Sequence, residues 1–278
     1  MIPTLLDIIT TAAILYIVAL GLLLVFGVMK LINFAHGGLM ALGGYAAVIA
    51  TAMGLNPWIG IPLAAVFGAI VGLGMERVVV RSLYNRPLDT ILATWGLSII
   101  IGQIITLVFD RGVHFAEPPV RGVVSLVGES YSTYRLVLTV LALLLGLGLT
   151  LILKGTSLGL STRAVIMNED LARGLGINSG LVRTVTFTLG SGLAAVAGAL
   201  ITPLSSVYPD MGTAWLMSAF MLVLVSGSSL YSLAIASVVL GGAQVIVSGY
   251  FGAVLGGMTI AALAAVILRI RPQGFSYE

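Results

Sequence analysis

The sequence predicts an all-α, polytopic integral membrane bundle of eight or nine transmembrane helices. Three observations carry this. Hydrophobic residues make up 59% of the 278 and charged residues only 8%, about a third of the charged share of a soluble domain. The apolar residues are gathered into charge-free runs long enough to cross a bilayer, each span needing about 20 residues. Thirty-five glycines suit helices that approach closely in lipid. So few charges cannot cover a soluble surface, which excludes a soluble enzyme, a nucleic-acid binder and a disordered tail. A dispersed net charge of +3 is too small to mean a polyanionic partner. Zero Cys excludes disulfides, iron–sulfur clusters and thiolate zinc sites.

In lipid every backbone N–H and C=O must be satisfied within its own segment, so each long apolar run is read as a helix. The first runs from Ile8 to Met29, between Asp7 and Lys30. No basic residue precedes it, so it is read as a retained span and not as a signal peptide. Leu31 to Met75 carries no full charge. It is too long for one helix and fits two, with Gly54-Leu55-Asn56-Pro57 as the turn. Glu76 to Asp89 is a polar connection, and the next span covers Leu88 to Phe109. Asp110 to Arg135 is an external loop with Pro118, Pro119 and mixed charges. Leu136 to Leu153 is a span, Lys154 to Arg183 a polar segment, and Thr184 to Ile201 returns to the membrane. Met211 to Leu268 is 58 residues without a formal charge, which fits two spans plus a half-helix or three short spans. The whole chain, 1–278, reads as a single transmembrane domain.

The basic residues set an orientation. One assignment places ten on the cytoplasmic side, among them Lys30, Arg77, Lys154, Arg163, Arg183 and Arg271, and leaves Arg111, Arg121 and Arg135 outside. It makes the C-terminus cytoplasmic and, with nine spans, the N-terminus external. Gly68/Gly72 and Gly252/Gly256 are small-residue pairs for helix packing, and Gly37, Ala41 and Gly44 share one helical face.

The chain lacks two kinds of chemistry. All ten acidic residues fall in loops or at span ends, whereas a mid-membrane ionisable group costs about 2.5–3.5 kcal/mol and is kept for function. A carboxylate relay for proton coupling is therefore missing. Neither of the two lysines, Lys30 and Lys154, lies in a G-x-x-x-x-G-K-[ST] loop, so the chain cannot hydrolyse ATP alone. With two histidines, His36 and His114, and no H-E-x-x-H or G-x-S-x-G, an intramembrane enzyme has no constellation to use. No catalytic residue and no metal ligand is assigned.

Two segments stand out. Asn33 and His36 interrupt an apolar run. Either the helix is broken here and its free backbone groups line a solute path, or Asn33 caps the second helix and His36 satisfies a nearby carbonyl. In the polar segment, Asn168 is placed to cap a short helix with Glu169 and Asp170 in its first turn and Arg173 near its last, stopped by Gly174 or Gly176. These charges match the helix dipole at both ends. Leu171 and Leu175 share a face with Ala172 beside them, so the element is either an ordinary capped loop helix or a docking helix for a cytoplasmic partner. The neutral polar residues within spans, Trp95, Ser98, Gln103, Ser191 and Gln244, are candidate solute contacts or interhelical glue. A path of amides and hydroxyls suits a small neutral or zwitterionic solute, through a passive channel or an energised importer.

Several stretches resemble the membrane permeases of ATP-driven (ABC) importers for branched-chain amino acids, urea and short amides. They are Gly27-Val28-Met29-Lys30-Leu31-Ile32-Asn33-Phe34-Ala35-His36-Gly37, Ala93-Thr94-Trp95-Gly96-Leu97-Ser98, Leu175-Gly176-Ile177-Asn178 and Arg271-Pro272-Gln273-Gly274. The resemblance implies a bacterial or archaeal plasma (inner) membrane protein without a cofactor of its own. It implies partners as well: a second homologous permease, two cytoplasmic ATPase subunits carrying ATP-Mg, and an extracytoplasmic solute-binding protein. The segment from Glu169 to Gly176 would be the coupling helix that docks in an ATPase groove. Arg86 to Gly96 and Tyr208-Pro209-Asp210-Met211-Gly212 look most like the urea and short-amide subgroup. Where the family usually shows a Gly-Gly-x-Gly turn, this chain reads Ser226-Gly227-Ser228-Ser229-Leu230-Tyr231-Ser232.

Overall fold

A computed structural model describes residues 2–126 and 129–275. The first helix, α1 (Ile2–Met29), is apolar all round, and Val18, Ala19 and Leu20 in its middle are fully buried. A helix without a polar face belongs in the interior of a bundle. It ends at Lys30, whose φ of +53° is left-handed, and Lys30 to Asn33 run without helical structure. The second helix, α2 (Ala35–Ala52), starts beside the middle of α1, where His36 Nε2 lies 2.9 Å from the Val18 carbonyl. At 1.5 Å per residue, Val18 is about 16 Å up the axis from Met29. The chain therefore climbs back to mid-depth before turning helical, and α2 begins later and deeper than a turn at the membrane surface would place it.

The turn around Gly54 to Pro57 is where the sequence places it. Asn56 Oδ1 accepts the Trp58 N–H at 3.1 Å and starts α3 (Pro57–Val78) with Pro57 in its first turn. The expected polar connection from Glu76 is corrected here, because α3 continues to Val78 and Glu76 is fully buried. Partners from distant parts of the chain make that burial possible. A 3₁₀ turn (Val80–Leu83) leads to α4 (Pro87–Phe109).

The loop after α4 holds an antiparallel hairpin of β1 (Val123–Leu126) and β2 (Glu129–Ser132), with Val123 opposite Ser132. Val127 and Gly128 fall outside the described residues. Strands of four residues are too short to stand out by alternation among the loop's charges.

Beyond the hairpin come α5 (Thr133–Gly155), α6 (Ser157–Met167), α7 (Glu169–Gly174) and α8 (Ser179–Ser205). The last charge-free stretch holds α9 (Met211–Ser226), α10 (Leu230–Phe251) and α11 (Ala253–Ile270). Among the described residues eight helices are long and apolar enough to cross a membrane, and α9, at 16 residues, is the short ninth.

Most of α1, α2 and α8 is buried, and the other helices pack around these three. The crossing of α2 and α8 is set by Gly43, which meets the Ala195 backbone, and by Gly198, which meets the Met40 backbone. A Cβ at either position would overlap the facing chain. Gly68 and Gly72 seat α3 against Ala195 and Ser191 of α8, as their spacing suggests. The second spaced pair is a correction. Gly252, at φ +92°, is the bend between α10 and α11, and Gly256 faces Ser248 across that bend. A left-handed turn and a packing seam demand the same residue, so the spacing alone does not separate them.

The chain ends lie on opposite sides of the bundle. Asp7 of α1 accepts from Tyr131 at 3.0 Å and pairs with Arg135 at 2.9 Å, which ties the start of α1 to the hairpin and α5. At the other end Gly27 of α1 faces Ser228. There the Phe275 N–H donates to Val225 O at 2.7 Å, and Ser232 Oγ donates to Phe275 O at 2.8 Å.

Candidate functional site

The short helix α7 is capped at both ends as its sequence predicts. Asn168 Oδ1 accepts the Leu171 N–H at 3.0 Å, and Glu169 and Asp170 occupy the first turn. At the other end the Ile177 N–H donates to Ala172 O and the Gly176 N–H to Arg173 O, both at 3.0 Å. This closes the helix around Gly176 at φ +85°, a conformation that costs glycine little. Gly174 is the last helical residue and Gly176 the stop.

The two faces of α7 differ. Ala172 is buried against Val28, Val165 and Val182. Leu171 and Leu175 are 63% and 74% exposed, and Met167 just before the helix 87%. Together they form an exposed apolar patch on a polar segment. It is well supported from behind. Glu169 Oε1 accepts from Arg173 Nη2 at 2.7 Å and Oε2 from Arg183 Nη2 of α8, while Arg173 Nε donates to Ser179 Oγ at 2.7 Å.

From Arg183 the contacts continue into the bundle. Its guanidinium sits 4.6 Å from the centroid of the Tyr84 ring, an attractive cation–π geometry. Tyr84 Oη donates to Glu76 Oε1, which also accepts from Thr184 Oγ1 at 2.9 Å. Burial, and after it the hydrogen bond to Glu76, pushes the Tyr84 hydroxyl well above its usual range, so it stays a donor. Glu76 Oε2 and Arg183 Nε are buried without a partner among the described residues. This network is not legible in the sequence, because its members lie on α3, just after the 3₁₀ turn, on α7 and on α8, and the one sequence signal is the position of Glu76 near a span end.

The candidate solute contacts do not gather in one place within the chain. Asn33 and His36 are buried, Asn33 Oδ1 accepting the Ala35 N–H at 3.1 Å and His36 bonding Val18 O. The Asn33 side chain thus caps the α2 start one residue upstream of the position the helix boundary gives, Phe34. Ser191 is buried where α8 meets Gly72. Gln244 lines a polar cavity of about 430 Å³ with Asp7, Arg135 and Ser248. Trp95 and Gln103 face outward from α4, while Ser98 lies between them against Gly38.

The comparisons with known proteins agree with this architecture. Residues 4–269 match the family described as "Branched-chain amino acid transport system / permease component". The permease protein BraD of the high-affinity branched-chain amino acid transport system of Pseudomonas aeruginosa is 30% identical over 276 residues, covering 93% of this chain and 90% of the relative. LivH of Escherichia coli, from a system of the same description, is 29% identical over 276 residues, 93% of this chain and 89% of the relative. The autoinducer 2 import system permease protein LsrC of Yersinia enterocolitica is 25% identical over 271 residues, 94% of this chain and 67% of the relative. Among solved structures, PsaBC from Streptococcus pneumoniae in complex with Fab shares the fold at a TM-score of 0.52 and 17% identity, over 97% of this chain and 92% of that one. A match over nearly the whole chain, on a bundle with this break before α2 and this capped α7, means that the chain belongs to the family of branched-chain amino acid transport system permease components.

Proposed function

We propose that this chain is one permease subunit of an ATP-driven importer, forming half of a translocation pathway with a second homologous permease. Two cytoplasmic ATPase subunits bind ATP-Mg and supply the work, and an extracytoplasmic binding protein delivers the solute. The observation that carries the reading is α7, whose apolar Leu171 and Leu175 point outward while its base is clamped to α8. A knob that is exposed in front and held behind transmits a push. Closure of the ATPases against α7 then biases the bundle between an outward-open and an inward-open state.

In this reading the basic residues put α7 and the C-terminus in the cytoplasm. The outward-facing Trp95 and Gln103 line the pathway where the second permease meets α4, while Ser98 holds α4 against Gly38 of α2. Asn33 and His36 hold the start of α2 in place. The names of the relatives favour a branched-chain amino acid as solute. The Tyr208 to Gly212 stretch and the Arg86 to Gly96 stretch favour urea or a short amide as the second reading.

The test is Glu169→Lys with Asp170→Lys in the reconstituted complex. Insertion of the chain is expected to be intact, while uptake no longer follows ATP hydrolysis. Normal solute-stimulated ATPase activity in the double variant would sink the docking assignment. ATP-independent uptake by the wild-type chain alone would point to a passive channel. Stimulation of the wild-type ATPase by leucine or by urea separates the two solute classes.

A further inference from the structure

Helices α5 and α10 both pack on α1 and leave a groove between them. Two cavities run along it and share Thr150, Leu230 and Tyr231. The larger, about 440 Å³, is walled by apolar residues such as Ile9, Ala12, Leu143, Leu147, Ala234 and Val238. The smaller, about 240 Å³, is also walled mainly by apolar residues, among them Leu23, Leu149 and Ile166, but carries charge as well. Lys154 and Arg163 line it together with Ser228, Ser229 and Tyr231. No carboxylate faces it among the described residues, and neither cation has an ion-pair partner there.

The hydroxyl-bearing side of this mouth is the stretch where the family's glycine turn is replaced. It is held in shape from two directions. Ser229 Oγ accepts the Ser232 N–H at 3.4 Å, and Ser232 Oγ donates to Phe275 O. Tyr231 is 77% exposed, an amphipathic ring of the kind enriched at the bilayer interface. Long cationic side chains at a helix end reach the same level by extending toward the polar boundary. Lys154 ends α5, and Arg163 lies on α6.

We propose that this groove binds an anionic phospholipid, with one acyl chain between α5 and α10 and the phosphate at Lys154, Arg163 and the Ser228–Tyr231 turn. The charge pattern selects the occupant. A helix of a partner permease would fill the apolar part but leave two cations facing lipid or apolar protein, whereas a lipid satisfies both ends at once. Two basic residues near a headgroup, each contributing a factor of about 5.5, give a preference of about thirtyfold for an anionic over a zwitterionic headgroup. The inference requires neither the transport assignment nor a choice of leaflet. In the orientation proposed above, the lipid belongs to the inner leaflet.

The test is native mass spectrometry of the purified complex, titrated with phosphatidylglycerol or phosphatidylcholine of the same acyl chains. Wild type should retain phosphatidylglycerol about thirtyfold better, and Lys154→Gln with Arg163→Gln should bring the two lipids level. Both substitutions are at exposed positions, so the fold is not challenged. Ala234→Trp, also at an exposed position, fills the acyl groove and should weaken retention of both lipids while leaving the cations in place. Equal retention of both lipids by wild type, or unchanged retention in Ala234→Trp, would overturn the proposal. So would displacement of phosphatidylglycerol by glycerol 3-phosphate, which would mark a soluble phosphate site. Loss of a protein subunit without loss of lipid in Ala234→Trp would reassign the groove to a subunit seam.

Discussion

Replacing Arg183 with alanine tests how α7 is held. The guanidinium gives one hydrogen-bonded ion pair to Glu169, with side chains 13% and 24% exposed, and one cation–π contact to Tyr84. A hydrogen bond between charged groups is worth about 1.5–3 kcal/mol when little water competes, and the cation–π contact about 0.5–1 kcal/mol. Losing the unpartnered Nε of Arg183 returns about 1 kcal/mol. The net loss is about 2 kcal/mol, which falls on the local opening of α7 and not on the whole bundle, because Glu169 keeps Arg173. At 1.36 kcal/mol per factor of ten, the amides of α7 should lose protection about thirtyfold. Hydrogen–deuterium exchange on peptides covering 168–178 reads this directly. Arg173 pairs with Glu169 from a side chain that is 56% exposed, worth about 0.5 kcal/mol, and donates to Ser179 Oγ, worth about 1 kcal/mol, so Arg173→Ala should cost about 1.5 kcal/mol, or roughly tenfold. A change of threefold or less in Arg183→Ala, or a larger effect in Arg173→Ala, would refute the clamp.

Four further variants have expected outcomes. In Tyr84→Phe, Glu76 keeps only the Thr184 hydrogen bond, which should lower stability by about 1–2 kcal/mol in a detergent unfolding assay. Combined with Glu76→Gln, the loss should differ from the sum of the single losses by about 1 kcal/mol, and strict additivity would mean that the two side chains act separately. Gly198→Ala forces a methyl into the Met40 backbone and should cost more than about 3 kcal/mol, seen as loss of monodisperse protein in size-exclusion chromatography. Gly148→Ala on α5 meets nothing within 4 Å and should be neutral or stabilising by up to about 1 kcal/mol. Leu171→Asp should leave the melting temperature of the chain unchanged, since Leu171 is exposed, and should abolish co-purification of the ATPases. Retained ATPases would move the docking surface elsewhere.

Much of the fold is legible in the sequence because the bilayer imposes strong rules. A charge-free run of span length must be helical, so α1, α3 to α5 and α8 could be located from composition, while the last run left two spans plus a half-helix and three short spans both open. The α7 caps were legible for a local reason, since Asn168, Glu169, Arg173 and Gly176 act on backbone groups within a few residues of themselves. Contacts distant in sequence were not legible. Glu76 looks like the first residue of a polar connection until Tyr84 and Thr184 are brought to it. The break at Lys30 to Asn33 shows as two polar residues in an apolar run. Its depth is set by the His36 bond to Val18, and no local pattern encodes that.

The structure also suggests how motion at α7 reaches the centre of the bundle. In the proposed importer a push on Leu171 and Leu175 would be carried by Glu169 to Arg183 in the first turns of α8, and by Arg173 to Ser179 beside it. The same helix, farther along, crosses α2 at Gly43 and Gly198 with backbones in contact, so α8 cannot shift without carrying α2 or opening that crossing. The start of α2 is in turn fixed to α1 through His36 and to α4 through the Phe34 N–H, which donates to Thr94 Oγ1 at 3.3 Å. Two backbones in contact form a stiff joint, because close-packed interiors transmit strain and barely compress. A six-residue helix at the edge of the chain is thereby linked to the non-helical stretch at mid-depth through rigid elements. In the proposed importer, Asn33 and His36, two buried polar groups with internal partners, would stand at the far end of that path.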